Sequence, residues 1–280
     1  MPRIRTLSLI AVAFAAFTGA TFAAQPAATT AAVTYTWNPS VSDTWEWQLG
    51  STTIDTKYGA KVYDIDMYDA LPANIISTLH SKGKVVVCYV DVGTAENWRA
   101  DYSKFTKADL GAAVSGWPGE NWVDTRSTNV RNIMAARIAT AKQKGCDAIE
   151  PDNVDGYANS PGFPLTTATQ LDFNKFIASS GHAQGLRVAL KNDVDQLADL
   201  AASFDFAVNE QCHQYSECSG YSVFTGANKP VFNAEYASKY KKASGEASLC
   251  KASLASNLRT VVFALNLDDS FHYACDASAN

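Results

Sequence analysis

The stretch CDAIEPDNVDGY, residues 146–157, begins as an apolar run and ends in acids: Glu150, Asp152 and Asp155. Similar endings recur along the chain. Apolar runs close on Trp47 and Gln48, on Asp64 and Asp66, on Tyr89 and Asp91, and on Asp152 with Asn153. Later runs close on Lys191, Asn192 and Asp193, on Asn209 and Glu210, on Asn233, Glu235 and Tyr236, and on Asn266 with Asp268 and Asp269. Carboxyls, amides and aromatics gathered on one rim suit cleavage of a glycosidic bond. One carboxyl protonates the leaving oxygen while a second attacks the anomeric carbon or activates water. Amides and lysine hydrogen-bond sugar hydroxyls, and aromatic faces stack on the C–H faces of the ring.

The alternation of a strand narrows the choice of acids. A period of two puts Glu150 on the same face as Asp152, one layer deeper, and puts Asp64 and Asp66 together on theirs. A carboxylate as deep as Glu150 needs a cationic partner, and Lys191 is the one expected. Asp155, just before Gly156, reads as a turn residue. A calcium loop would use this many acids, but the spacing does not match an EF-hand. Asp152 is left as one candidate acid, with Glu210 and Glu235 as candidates for the second.

The elements that would hold these residues alternate. HSKGKVVVCYVDVG, AKQKGCDAIEPDN and HAQGLRVALKND each run from a helical end through glycine into a strand. Gly83, Gly145 and Gly185 read as the residues just past helix C-termini, where positive φ is needed. Eight strands are expected: 45–49, 62–67, 85–92, 146–153, 186–192, 204–210, 230–235 and 260–266. Val130, Ile133, Met134 and Ile138 fall on one helical stripe, and a shorter helix is expected over 195–202. Strands and helices in alternation predict a single (β/α)8 TIM barrel, whose active sites lie at the C-terminal strand ends. The connection from Gly50 to Lys61 is too short for a proper helix, so an irregular first unit is expected. Residues 111–124, GAAVSGWPGENWVD, read as an extra loop.

Composition sets the outer limits. Arg3 and Arg5 precede an apolar run ending near Phe17, then small residues, the layout of a secretory signal peptide cleaved after Ala23. Residues 24–33 read as a flexible leader, and residues 34–280 as one domain near the ~250 residues of a barrel. The apolar run is shorter than the ~20 residues that span a bilayer, and no second one follows. Hydrophobic residues make up 47% and charged residues 18%, so the chain can bury a large core. The net charge of −5 without a basic run argues against nucleic acid. A monomer acting outside the cell is expected.

Six cysteines in an exported chain point to disulfides. Cys212–Cys218 is expected as a local bridge, and Cys250 and Cys275 can pair. Cys88 and Cys146, inside apolar strands, read as small hydrophobes. Neither a metal nor a cofactor is expected, since there is no CxxC and the four histidines are scattered. All six tryptophans lie between Trp37 and Trp122, which places any aromatic platform in the first half of the fold. Trp47, at a strand end, is the favoured member.

Several blocks resemble the signature segments of the endo-α-1,4-polygalactosaminidase family, glycoside hydrolase family 114. They are WEWQLG, VYDIDMYD, VVVCYVDVG, GWPGENWVDTR, GCDAIEPDNVDGY, VALKND, FDFAVNEQC and VFNAEY, in order from Trp45 to Tyr236. The resemblance implies a TIM barrel that cleaves α-1,4-linked galactosamine polymers. It implies catalysis by Asp152 of EPDN and Glu210 of NEQC, with a pocket that includes Asp64, Asp66, Tyr89, Lys191, Asn192 and Glu235. Strand-end position adds Trp47, Asp91, Asn153 and Tyr236. By analogy with retaining α-glycosidases on barrels, Asp152 would be the nucleophile and Glu210 the acid/base. The alternatives are a barrel that binds polysaccharide without cutting it, and a metal-dependent deacetylase, for which the histidines lack the spacing.

Overall fold

A computed structural model describes residues 33–279 apart from residues 51 and 71. The expected signal peptide and all of the leader except Val33 lie outside these. Eight strands run parallel, each hydrogen-bonded to the next in chain order: β1 (Trp45–Gln48), β2 (Val62–Asp66), β3 (Val85–Asp91), β7 (Ala148–Asp152), β8 (Arg187–Lys191), β9 (Phe206–Glu210), β10 (Val231–Glu235) and β11 (Leu258–Phe263). A ninth, β12 (His272–Ala274), is antiparallel to β11. Both faces of such a sheet are covered, which is why β2 and β10 are buried throughout. The eight parallel strands are those expected, shifted by a few residues at their ends.

The sheet curls far enough that its first and last strands share one core. Trp45 of β1 stacks on Phe232 of β10 with ring centres 5.2 Å apart, and meets Phe263 of β11 edge-on. No ladder joins β11 back to β1 among the described residues. Single contacts bridge that seam instead: the Gly50 N–H donates to the Leu267 carbonyl at 3.0 Å, and the Trp45 indole to the Arg259 carbonyl at 2.8 Å. Glu46 meets His272 at 2.6 Å.

The helices depart further from eight regular units. Among the described residues they are α1 (Ile75–Ser81), α2 (Thr128–Lys144), α3 (Thr167–Ala183), α4 (Leu197–Leu200), α5 (Cys212–Tyr215), α6 (Ser222–Thr225) and α7 (Ala243–Ala255). Among the described residues no helix separates β1 from β2, as the short connection predicts. The stripe Val130, Ile133, Met134 and Ile138 is the buried face of α2, and Gly145 ends that helix at φ +94. The short helix expected over 195–202 is the single turn α4.

Two expectations are corrected. Residues 111–124 are not merely a loop: β5 (Leu110–Ala113) and β6 (Glu120–Val123) join β4 (Thr94–Glu96) in a separate antiparallel sheet, ordered β4–β6–β5. Three- and four-residue strands around Gly116, Pro118 and Gly119 carry too little alternation to be read as strands. Cys88 and Cys146 are not free hydrophobes but a disulfide, with Cα atoms 6.0 Å apart. Cys88 lies on β3 and Cys146 just before β7, its partner strand, so adjacency in the sheet brings the sulfurs together. The expected Cys212–Cys218 and Cys250–Cys275 bridges are both present. The 58-residue separation of Cys88 and Cys146 makes theirs the longest loop of the three. The double variant Cys88→Ala/Cys146→Ala is expected to lose about 4 kcal/mol, read as a lower urea midpoint. Removing Cys212–Cys218 should cost about half as much.

Candidate active site

Asp152 ends β7 at the C-terminal rim, with its side chain 21% exposed. Three donors converge on its carboxylate. The Tyr89 hydroxyl donates to Oδ2 at 2.9 Å, and the Asn153 N–H to Oδ1 at 2.8 Å. The Lys191 ammonium stands 3.2 Å from Oδ1. The backbone here is crowded. Gly93 follows β3 and donates its N–H to the Asp152 carbonyl at 3.1 Å. A Cβ on Gly93 would lie 1.6 Å from the Asn153 carbonyl oxygen, so only glycine fits.

Below Asp152 lies a buried charged layer. Glu150 is fully buried and bonds the Lys191 ammonium at 2.8 Å, as the period of two requires. The Trp47 indole N–H donates to the other Glu150 oxygen at 3.0 Å, and Lys191 stands over the Trp47 ring at 4.8 Å. Burial works against the charge of Lys191, but the attraction of Asp152, Glu150 and Glu210 outweighs it and pushes its pKa well up. Asp64 is also fully buried. Desolvation, then the charge of Glu150, pushes its pKa well above the carboxylate range, so it stays protonated beside Glu150. One ammonium and one proton thus serve two deep acids.

Glu210 ends β9 and faces Asp152 across Lys191. Its Oε2 stands 3.5 Å from the ammonium and accepts from the Asn192 amide at 3.2 Å. Its Oε1 accepts from the Tyr236 hydroxyl at 2.6 Å. A row of buried polar groups fixes Asn192. The Thr260 hydroxyl donates to Asn233, Asn233 to Asn209, and Asn209 to the Tyr221 hydroxyl at 2.7 Å and to Asn192 at 3.4 Å. The Asn192 carbonyl oxygen of its side chain then accepts the Glu210 N–H at 2.9 Å. Four neighbouring strands therefore set the aim of one carboxyl.

The distances to Lys191 bound the separation of the two acids. Asp152 Oδ1 and Glu210 Oε2 can be no farther apart than the sum of 3.2 and 3.5 Å. That bound, on one oxygen of each carboxyl, accommodates both the ~5–5.5 Å of a nucleophile and acid/base pair and the ~6.5–9.5 Å that leaves room for an attacking water.

Other expected site residues take different places. Trp47 is 2% exposed and packs beneath the acids, so its face is not open to a sugar. Trp45 and Trp47 share one side of β1 and fill the space inside the curl. Asp66 accepts the Tyr68 and Asp69 N–H groups and pairs with Arg99 at 2.9 Å, which occupies it structurally. Asp91 and Glu120 both touch the hydroxyl of Thr94, and Asn153 donates to Asp91 at 2.9 Å. One hydroxyl proton can serve one carboxylate at a time. Burial, then the charge of Glu120, raises the Asp91 pKa to about 8, and burial raises that of Glu120 as well. Asp91 and Asn153 thus brace the rim. Glu235 is buried, accepts the His213 N–H at 2.8 Å, and is pushed by burial to about 7.

Beside Glu210 opens a cavity of about 330 Å³ whose wall includes Asp155, Tyr157, Asp193, Asp195, Tyr215 and Glu217. None of these was expected at the site except as strand-end or turn polarity. Asp155 does begin a turn, over Gly156–Ala158, yet its burial and the charge of Asp152 raise its pKa. Asp193 adopts φ +45, a conformation that no strand pattern announces. Cys212, His213 and Cys218 lie close enough to suggest a metal cluster, but both sulfurs are consumed in the disulfide. Among the described residues no helix is long and apolar enough to cross a membrane.

Comparison with known proteins bears on this rim. A structure of Aspergillus fumigatus Ega3 in complex with galactosamine is 38% identical, covering 86% of this chain and 98% of that one with a TM-score of 0.80. The glycoside hydrolase domain of PelA from Pseudomonas aeruginosa shares the fold, with a TM-score of 0.62 at 13% identity over 80% of this chain and 96% of that one. An uncharacterized Deinococcus radiodurans protein is 24% identical over 179 residues, 57% of this chain and 58% of its own length. The model of glycoside-hydrolase family GH114 matches residues 26–280. The chain belongs to that family and is a glycoside hydrolase.

Proposed function

We propose that this protein is a secreted, endo-acting hydrolase of α-1,4-linked galactosamine-containing polysaccharide, working as a monomer with retention of configuration. The observation that carries the reading is the single ammonium of Lys191 within ion-pair distance of both Asp152 and Glu210. Likeness to a relative whose structure holds galactosamine supports the sugar. The acid-lined cavity beside Glu210 suits a chain that carries free amines. Three disulfides fit an oxidising compartment, and cleavage after Ala23 would release the domain.

In this reading Asp152 attacks the anomeric carbon as the bond to the leaving oxygen breaks, and Glu210 gives that oxygen its proton. The covalent ester is then hydrolysed by water, which Glu210 deprotonates. Tyr89 and the Asn153 N–H hold Asp152 in its attacking position; Asn192 and Tyr236 orient Glu210. A polysaccharide-binding protein without activity is the alternative, and it has no need of two acids aimed at one gap.

The test uses a partially deacetylated α-1,4-galactosamine polymer. Reducing ends should appear with a rapid fall in polymer length, and proton NMR of the first products should show the α-anomer before mutarotation. Binding without new reducing ends on prolonged incubation would establish the alternative. The β-anomer would leave a hydrolase but remove the covalent step.

A further inference from the structure

The β4–β6–β5 insert reaches the rim through Glu120, yet away from it the insert displays two of the most exposed aromatic side chains in the structure. Trp98 is 52% exposed and Trp117 is 64% exposed, whereas the other four tryptophans are buried. They belong to one place. The Asn97 N–H, next to Trp98, donates to the carbonyl of Gly119, two residues past Trp117, at 3.0 Å. Both indoles therefore stand at the far end of the β4–β6–β5 sheet. The near end of that sheet is anchored to the candidate catalytic strand: Gly93 bonds Asp152, and Val123 bonds Gly93. At ~3.3 Å per residue, Asn97 lies roughly 13 Å beyond Gly93. The tryptophans are thus too far from Asp152 to touch the sugar being cleaved, but within reach of the same polymer a few units away.

The surroundings favour a cationic carbohydrate. Arg99, beside Trp98, is buried and matched by Asp66, Asp69 and Glu96, each at 2.9 Å, so three carboxylates surround one guanidinium. An amino-sugar segment offers an apolar C–H face for stacking and an ammonium, and tryptophan is the best aromatic partner for a cation. Two exposed tryptophans at one end of an insert whose other large apolar side chains are turned inward mark a contact surface.

We infer that Trp98 and Trp117 form a remote binding platform for the amino-sugar polymer, holding a stretch of chain outside the cleavage site. The inference rests on the proposed substrate for the identity of its occupant, though binding there needs no catalysis. The platform explains how an open rim could retain a long chain between cuts.

The test compares Trp98→Ala/Trp117→Ala with the unaltered protein. Affinity for the partially deacetylated galactosamine polymer is read in an Asp152→Asn background, and turnover of a galactosamine tetramer in the active protein. Polymer affinity is expected to fall roughly tenfold with tetramer turnover unchanged. The Phe/Phe pair should restore most of the loss. Unchanged polymer affinity overturns the proposal, and so does a parallel fall in tetramer turnover, which would move the tryptophans into the cleft or the folding core. Concentration-dependent self-association in sedimentation, lost in the Ala pair, would assign the surface to a second copy and overturn it too. Trp-dependent polymer binding by a wild-type protein that cleaves nothing would sink the hydrolase reading while leaving the platform standing.

Discussion

Asp152→Asn should lower kcat on a galactosamine polymer by at least a thousandfold while leaving the thermal midpoint within a few degrees. The amide keeps the size of the carboxyl; its oxygen can still accept the Asn153 N–H, and its NH2 can donate to the Tyr89 hydroxyl in place of the bond Tyr89 gave, but it cannot form the ester through which retention proceeds. Glu210→Gln should slow formation of the covalent intermediate less with a leaving group that needs no proton, such as an aryl glycoside, because acid assistance is dispensable there, while hydrolysis of the intermediate still lacks its base. The two roles separate with azide. In Asp152→Ala the space left by the carboxyl admits azide on the face the nucleophile used, giving the β-glycosyl azide. In Glu210→Ala azide can attack the covalent intermediate from the opposite face, giving the α-azide. Hydrolysis by Asp152→Asn near the wild-type rate would end the assignment of the nucleophile. An α-azide from Asp152→Ala would exchange the two roles.

Legibility differed by the kind of constraint. The eight parallel strands were readable because each is a short apolar run that ends in polar residues, and three of them, β3, β7 and β8, are introduced by a helix-ending glycine, local signals that survive without partners. Glu150 and Lys191 were readable as a pair because alternation puts Glu150 below Asp152 and a buried carboxylate must find a cation. What failed depended on depth or on neighbours. Trp47 stands at a strand end, yet the curl of the sheet folds that end inward over Glu150. Asp66 looks like Asp64 by spacing, but Arg99 comes from the far side of an insert to claim it. Asp193 and Asp195 required the path of the backbone after β8, where positive φ at Asn192 and Asp193 turns the chain toward Glu210. The β4–β6–β5 sheet was missed because its strands are only three or four residues long.

Lys191 is the residue whose loss should change the chemistry most without touching a reacting carboxyl. It is 3% exposed and serves three acids, Glu150, Asp152 and Glu210. Lys191→Met removes the cation and leaves a buried carboxylate uncompensated, a class of change that costs 3–5 kcal/mol. The protein with two long-range disulfides should still fold, with a lowered urea midpoint. Without the ammonium Glu150, which burial pushes up and the Lys191 charge pulls down, holds its proton more tightly. Because the attacking acid must be ionised, the acid limb of kcat/KM should move to higher pH by about one unit or more, and kcat at neutral pH should fall by two orders of magnitude or more. Glu150→Gln makes the opposite change, deleting a negative charge from beneath the same ammonium, so its acid limb should move to lower pH. Lys191→Arg keeps the charge but replaces a compact ammonium placed between three acids with a longer planar fork that cannot keep the same contacts, and activity should not be fully restored. Opposite shifts in Lys191→Met and Glu150→Gln are beyond what lost packing can produce. If both limbs stayed fixed while KM alone rose, Lys191 would be a sugar ligand, and the charge that sets the ionisation of the acid pair would have to come from elsewhere on the rim.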